Sequence, residues 1–202
     1  MADASHVEFQ PGRFGRQDGA PGVVVREITH FSLASVMARK SQAGPASAAA
    51  VEAFGSGLPA KPTCASGREL AFIWAGPAHW LALGVESPAG IEARLSTALD
   101  GRASVFDQSG SRVLLELTGP RVRDALAKGI ELDLHPHAFR PGDAAVTTAS
   151  HIGVNLWQVA DDPLFRLLVV RTYFGSLWSW LSASAAAYGC EVRAAHPYSP
   201  RA

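Results

Sequence analysis

Charge is what this 202-residue chain has least of. Only 18% of it is Asp, Glu, Lys or Arg, against roughly a quarter in an average domain. The 18 basic and 18 acidic residues cancel. Binding to nucleic acid or to an anionic membrane draws on net positive charge, and the scattered Arg13, Arg16 and Arg26 supply no such excess. Cysteine is equally scarce. Cys64 and Cys190 stand alone, in no redox or metal spacing, which predicts two buried free thiols. The first residues, MADASHVEFQPGRFGRQDG, hold no apolar run, so no signal peptide is expected. No stretch reaches the roughly 18 apolar residues of a membrane span. A soluble, cytoplasmic protein is the expectation. The familiar catalytic signatures are missing too: no Gly-x-Gly-x-x-Gly, no phosphate-loop Lys-Ser/Thr, no His-Glu-x-x-His and no Cys-x-x-Cys.

What is present is apolar. The hydrophobic fraction of 48% is ample for a core, and five Trp with so few charges leave surface to spare for a protein partner. The alternative is a well-buried monomer.

Read in order, residues 1–21 form a polar tail with Phe9 and Phe14 as apolar beads. Gly22–Ile28 and Phe31–Arg39 read as strands, Ala46–Phe54 as an alanine-rich helix, and Leu58–Gly67 as a loop with two prolines. Glu69–Trp74 and Trp80–Leu83 read as a hairpin. Pro88–Leu99 reads as a helix, with Ser87 as its N-cap and Ile91, Leu95 and Leu99 on one face.

The most distinctive text runs from Arg102 to Leu134. A strand over Ser104–Phe106 leads into the turn cluster Asp107–Ser111. A second strand carries Val113, Leu115 and Leu117 at period two. Thr118-Gly119-Pro120 then opens a helix, with Thr118 or Gly119 as cap, and Gly129 is placed to end it in a left-handed cap. Leu132–Asp143 is a loop and Ala144–Thr148 a short strand. Ile152–Val159 and Phe165–Arg171 form a hairpin, and Ser176–Tyr188 is a last helix stopped by Gly189. Residues 190–202 form a second tail.

The two halves repeat one plan, which suggests duplication. The expected division is tail 1–21, a first lobe 22–100, a second lobe 101–189 and tail 190–202. The fold class is α+β: two packed lobes of antiparallel sheet plus helices.

Few residues offer chemistry. His135 and His137 flank Pro136 and could both reach a metal, but only Asp133 lies near as a third ligand, so a solvated loop is the stronger reading. Asp161-Asp162 could pair for acid–base work, yet they precede Pro163 between two strands, where Asp serves a turn. His79 and His151 each abut a strand as lone structural histidines. Gly55-Ser56-Gly57 ends a helix and so is no nucleophile elbow. Trp178 and Trp180 lie on nearly opposite faces of one helix, so one of them should be less buried.

The text from Phe72 to Leu81 (FIWAGPAHWL), Asp107-Gln108-Ser109, Leu115–Pro120 (LELTGP), Ala125–Gly129 (ALAKG), Leu132–Leu134, Gly142 and Leu177–Leu181 (LWSWL) resembles the gamma subunit family of heterotetrameric sarcosine oxidase over about residues 22–188. The resemblance implies assembly with alpha, beta and delta subunits, alpha foremost. It implies a complex that oxidatively demethylates sarcosine to glycine, giving hydrogen peroxide and formaldehyde, or methylenetetrahydrofolate when tetrahydrofolate is present. FAD, FMN and NAD would belong to the large subunits and zinc to delta, with no cofactor in this chain. Relatives of the family serve the analogous N-methylglutamate dehydrogenase complex, an alternative assignment. The implied fold is similar to the folate-binding domain of glycine-cleavage aminomethyltransferases. Those enzymes place an Asp pair just before the strand of the last hairpin. The matching place here is Ser150-His151, before Ile152, and holds no carboxylate. This departure favours a non-catalytic scaffold over a stand-alone folate-binding enzyme, and no residue is assigned to catalysis, cofactor or metal binding.

Overall fold

A computed structural model describes residues 9–85 and 90–199. In chain order the elements are β1 (Gly12–Phe14), β2 (Val23–Thr29), β3 (Phe31–Ala38), α1 (Ala43–Phe54), β4 (Cys64–Ser66), β5 (Leu70–Gly76), β6 (His79–Val85), α2 (Ile91–Leu99) and β7 (Ala103–Asp107). There follow β8 (Arg112–Thr118), α3 (Val122–Leu126), β9 (Ala144–Ala149), β10 (Ile152–Ala160), β11 (Leu164–Val170), α4 (Phe174–Ala185), β12 (Cys190–Val192) and β13 (His196–Pro197). The α+β class holds: the described residues form two largely antiparallel sheets and four helices. None of these helices is long and apolar enough to cross a membrane.

Two compact units emerge. One holds residues 9–28, 112–141 and 147–196; the other holds 29–111, 142–146 and the end of the chain from 197. The second unit is built on a five-stranded sheet of order β4-β5-β6-β3-β7. Ala34, Val36, Phe72, Trp80, Ala82 and Val105 join one buried cluster with Ala46, Ala50 and Phe54 of α1 and Ile91, Leu95 and Leu99 of α2. The period-two and period-four patterns of the sequence are thus two sides of one core.

The first unit is built on the eight-stranded sheet, of order β1-β12-β2-β8-β11-β10-β9, with β13 paired to β2 off that path. Leu115, Leu117, Phe165, Leu167 and Leu156 are all fully buried. Set side by side, the sheet orders β4-β5-β6-β3 and β9-β10-β11-β8 correspond strand for strand, each with a helix after its first long strand and another after its hairpin. Duplication, read from element order alone, is matched by topology. The difference is β2, inserted between β8 and β12.

That insertion changes the division of the chain. The break falls not at residue 100 but between Ser111 and Arg112, because β7 pairs with β3 while β8 pairs with β2 and β11. Neither described tail is a free tail. Gly12–Phe14 pairs antiparallel with Cys190–Val192, which itself pairs parallel with Val23–Val25. Phe9 and Phe14 lie edge-on to Trp178, with ring centroids 5.0 Å and 5.7 Å away. The beads therefore cover an aromatic of α4, which accounts for the burial of Trp178; Trp180 is half-buried.

Smaller corrections follow from packing. Cys64–Ser66, within the expected loop, pairs with β5 as an edge strand. Ser87, read as a helix cap, lies outside the described residues, and α2 starts after Gly90. The helix after Pro120 is only five residues long, with Arg121 at its N-cap in place of Thr118 or Gly119. Gly119 serves close approach instead: at φ 110°, a Cβ there would lie 2.5 Å from the Gly22 carbonyl oxygen. Gly129 is not left-handed either. It is needed because any Cβ would stand 2.6 Å from the Trp180 indole nitrogen.

Candidate functional site

The distinctive turn Asp107–Ser111 is held by bonds within the turn and by a contact to β3. The Asp107 carboxylate accepts the Ser109 N–H at 2.7 Å. Ser109 Oγ accepts the Leu33 N–H at 2.9 Å, and the Ser111 hydroxyl donates to the Gln108 carbonyl at 2.9 Å. Asp161 and Asp162 sit exposed in the β10–β11 turn. Ser150 and His151 form the two-residue β9–β10 turn, both left-handed at φ 48° and 68°. This is the mirror-image hairpin geometry that usually calls for Asn or Gly.

His135 and His137 are exposed, their rings 4.9 Å apart. Asp133 caps the His135 N–H at 2.9 Å, and His135 Nδ1 accepts the His137 N–H at 3.3 Å. Among the described residues, no group of three His, Cys, Asp or Glu is placed to hold a metal ion. His79 meets Ser35 at 2.8 Å on a sheet face.

A cleft of about 370 Å³ opens beside this histidine loop, lined by Pro120, Arg123, Asp133, Leu134, His135 and Pro136. Its cation is already engaged. Arg123 donates to the Leu134 and Phe139 carbonyls and, at 3.0 Å, to Gln158 Oε1, while its guanidinium lies 5.0 Å over the Phe165 ring. Burial draws the Arg123 pKa below its ordinary value and Asp161 opposes the shift. The arrangement pins the 134–139 loop to the sheet; it leaves little of Arg123 for a ligand.

The strongest buried polar constellation was missed by sequence reading. Glu116 of β8 stands in register between Arg26 of β2 and Arg166 of β11. Arg166 Nη2 donates to Glu116 Oε2 at 3.5 Å, with side chains 5% and 12% exposed. His196 Nε2 lies 3.4 Å from the other carboxylate oxygen. One charged residue in each of two paired apolar runs, VLLEL and FRLLVV, was the available signal. Chemically the carboxylate meets a buried guanidinium with one oxygen and an imidazole with the other. That suits fixing strand register better than shuttling protons.

Two further groups are tuned by burial. Desolvation raises the Glu27 pKa, with Arg171 pulling it back. Desolvation also pushes the Cys190 thiol up to about 11, which suppresses its thiolate.

With that geometry in hand, the comparison with known proteins is decisive. The model of the "Sarcosine oxidase, gamma subunit family" matches residues 39–187. The chain belongs to the sarcosine oxidase gamma subunit family. Within that family it is 36% identical over 151 residues to sarcosine oxidase subunit gamma of Arthrobacter sp, covering 73% of each chain. It is 36% identical over 148 residues to subunit gamma of Corynebacterium sp. strain P-1, covering 72% of this chain and 71% of that one.

Among solved structures, a chain of heterotetrameric sarcosine oxidase from Corynebacterium sp. U-96, in complex with pyrrole 2-carboxylate, superposes with TM-score 0.74. It is 29% identical, over 82% of this chain and 85% of that one. The glycine cleavage system aminomethyltransferase T of Bartonella henselae superposes with TM-score 0.62 at 14% identity. That match covers 87% of this chain and 48% of that one, a likeness of fold alone. The resemblance read from FIWAGPAHWL and LELTGP is thereby shown at the level of family and fold.

Proposed function

We propose that this chain is the gamma subunit of a heterotetrameric sarcosine-oxidising complex and serves it by assembly, contributing no catalytic residue of its own. The observation that carries the reading is the family match over residues 39–187. It is supported by the structural engagement of several polar side chains. The carboxylates of Asp107 and Asp133 cap turns, Arg123 is taken up by carbonyls and Gln158, and Glu116 is paired with the buried Arg166. In this reading alpha is the foremost partner, with beta and delta completing the complex. FAD, FMN, NAD, tetrahydrofolate and zinc are held by those other subunits. The complex, in the cytoplasm, converts sarcosine to glycine with release of hydrogen peroxide and formaldehyde, or of methylenetetrahydrofolate.

The test is co-expression with the companion alpha, beta and delta chains. Stoichiometric co-purification and sarcosine-dependent peroxide formation are expected. A chain that stays monomeric in their presence overturns the proposal. A preference for N-methylglutamate over sarcosine in the same assay would move the complex to the dehydrogenase assignment.

The aminomethyltransferase-like fold keeps a second reading in play, a folate-binding protein acting alone. Titration of tetrahydrofolate against the isolated chain decides it. Absence of binding removes that reading.

A further inference from the structure

The five-stranded sheet has two unlike faces. Alternate residues of β3, β6 and β7 face α1 and α2; those between them, Leu33, Ser35 and Met37, face the other way. On that second face Leu33, Leu81 and Leu83 are buried. Toward the far end of β3 the cover stops: Met37 is 40% exposed and Phe106 51%. Register makes these neighbours. Met37 lies opposite His79 on one side and Ser104 on the other, and Ser35 lies opposite Phe106.

The ladder runs one step further, the Arg39 N–H donating to the Arg102 carbonyl at 2.9 Å. That brings Arg39 to Met37's side of the sheet. The exposed Arg39 side chain makes no hydrogen bond or ion pair with any described residue. Arg102 is different: it is tied to Asp100 at 3.2 Å and to the Leu99 carbonyl at 3.3 Å. Lys40 follows, exposed. Asp107 of β7 lies on the opposite parity, and its carboxylate accepts the Ser109 N–H. The patch is therefore a Met and a Phe beside an unmatched guanidinium and an exposed lysine. Aromatic residues, Met and Arg are the types enriched at interface cores.

We infer that the Met37–Phe106 face, with Arg39 at its edge, is a docking surface for another subunit of the complex, one that presents an apolar side chain flanked by a carboxylate. This rests on the gamma-subunit reading above. Charge selects the occupant. A second copy meeting this face across a two-fold axis would set Arg39 and Lys40 against their own images, with no carboxylate between them. An acidic partner would satisfy Arg39 in a charge-assisted, bidentate contact.

The experiment co-expresses the wild-type chain, Met37→Asp/Phe106→Asp and Arg39→Glu with the companion subunits. It measures the affinity of the tagged chain for the rest of the complex at low and moderate salt. Val51→Glu, on the exposed side of α1, is the control. The double variant is expected to lose at least tenfold in affinity. Arg39→Glu should lose a similar factor and most of its salt dependence, and Val51→Glu should match the wild type. A melting curve on each isolated chain establishes folding. Should the double variant not fold, Arg39→Glu, a change at the surface, carries the test alone. Variants that assemble like the wild type overturn the inference while leaving the gamma-subunit reading intact. A wild-type chain that fails to assemble removes both. Self-association of the isolated chain that Met37→Asp abolishes, with assembly unaffected, would assign the face to a second copy and overturn the inference.

Discussion

Glu116 offers the sharpest stability test in the molecule. Its carboxylate faces Arg166 at 3.5 Å and His196 at 3.4 Å, with Arg166 almost wholly buried. At an effective dielectric of about 20, one such pair attracts by about 5 kcal/mol, a gross figure that desolvation of both groups largely offsets. The net worth of the pair is therefore small, but the two partners depend on each other. Glu116→Leu removes the carboxylate that the buried Arg166 guanidinium meets, and should cost about 3–5 kcal/mol. Glu116→Leu/Arg166→Met replaces both by apolar groups of similar volume, and should lie within about 1 kcal/mol of wild type or above it. Urea unfolding followed by circular dichroism reads the difference. With a slope of about 2 kcal/mol per molar, the single variant moves the midpoint down by about 2 M and the double variant by less than about 0.5 M. A double variant less stable than the single one would refute the reasoning, since it would mean the row earns its place by more than mutual neutralisation.

Other expectations follow from single contacts. Phe14→Ala removes a ring from Trp178 and should cost about 2 kcal/mol, with a red shift of tryptophan emission; an unchanged melt would show that the tail is not anchored there. Gly129→Ala places a Cβ against Trp180 and should cost about 1–3 kcal/mol on thermal unfolding. With Cys190 pushed up to about 11 and Cys64 half-buried, a thiol reagent at pH 8 should modify Cys64 first in the native protein and reach Cys190 only on unfolding; rapid native modification of Cys190 would contradict its burial. Glu27 has its folded pKa raised, so its protonated form is the one the fold favours. That contribution is present below the unfolded value near 4.5 and is lost as pH rises through the folded value. Glu27→Gln should therefore raise the melting temperature at pH 7 and leave it unchanged at pH 4; a loss at pH 7 would mean that Arg171 outweighs burial.

The local elements were legible because their signals are local. Ile91, Leu95 and Leu99 needed only helical spacing, Val113, Leu115 and Leu117 only alternation, and the Asp107–Ser111 turn only side chains that cap nearby N–H groups. The Arg102–Leu134 text identified the family without any tertiary information. Gly119 and Gly129 show where such reading stops. Both looked like helix punctuation, yet each is needed because a distant backbone or ring comes too close for a side chain.

By itself the sequence determined the α+β class, the hairpins, the family and the absence of the common catalytic motifs. Each of these is carried by residues near one another in the chain or by composition. Only the tertiary structure decided that β2 joins β8, that the described parts of both tails become strands, that the break falls between Ser111 and Arg112, and that Glu116 meets Arg166 fifty residues away. Strand pairing and charge pairing at that separation are set by which partner buries most and desolvates least, and no local pattern of residues records that choice.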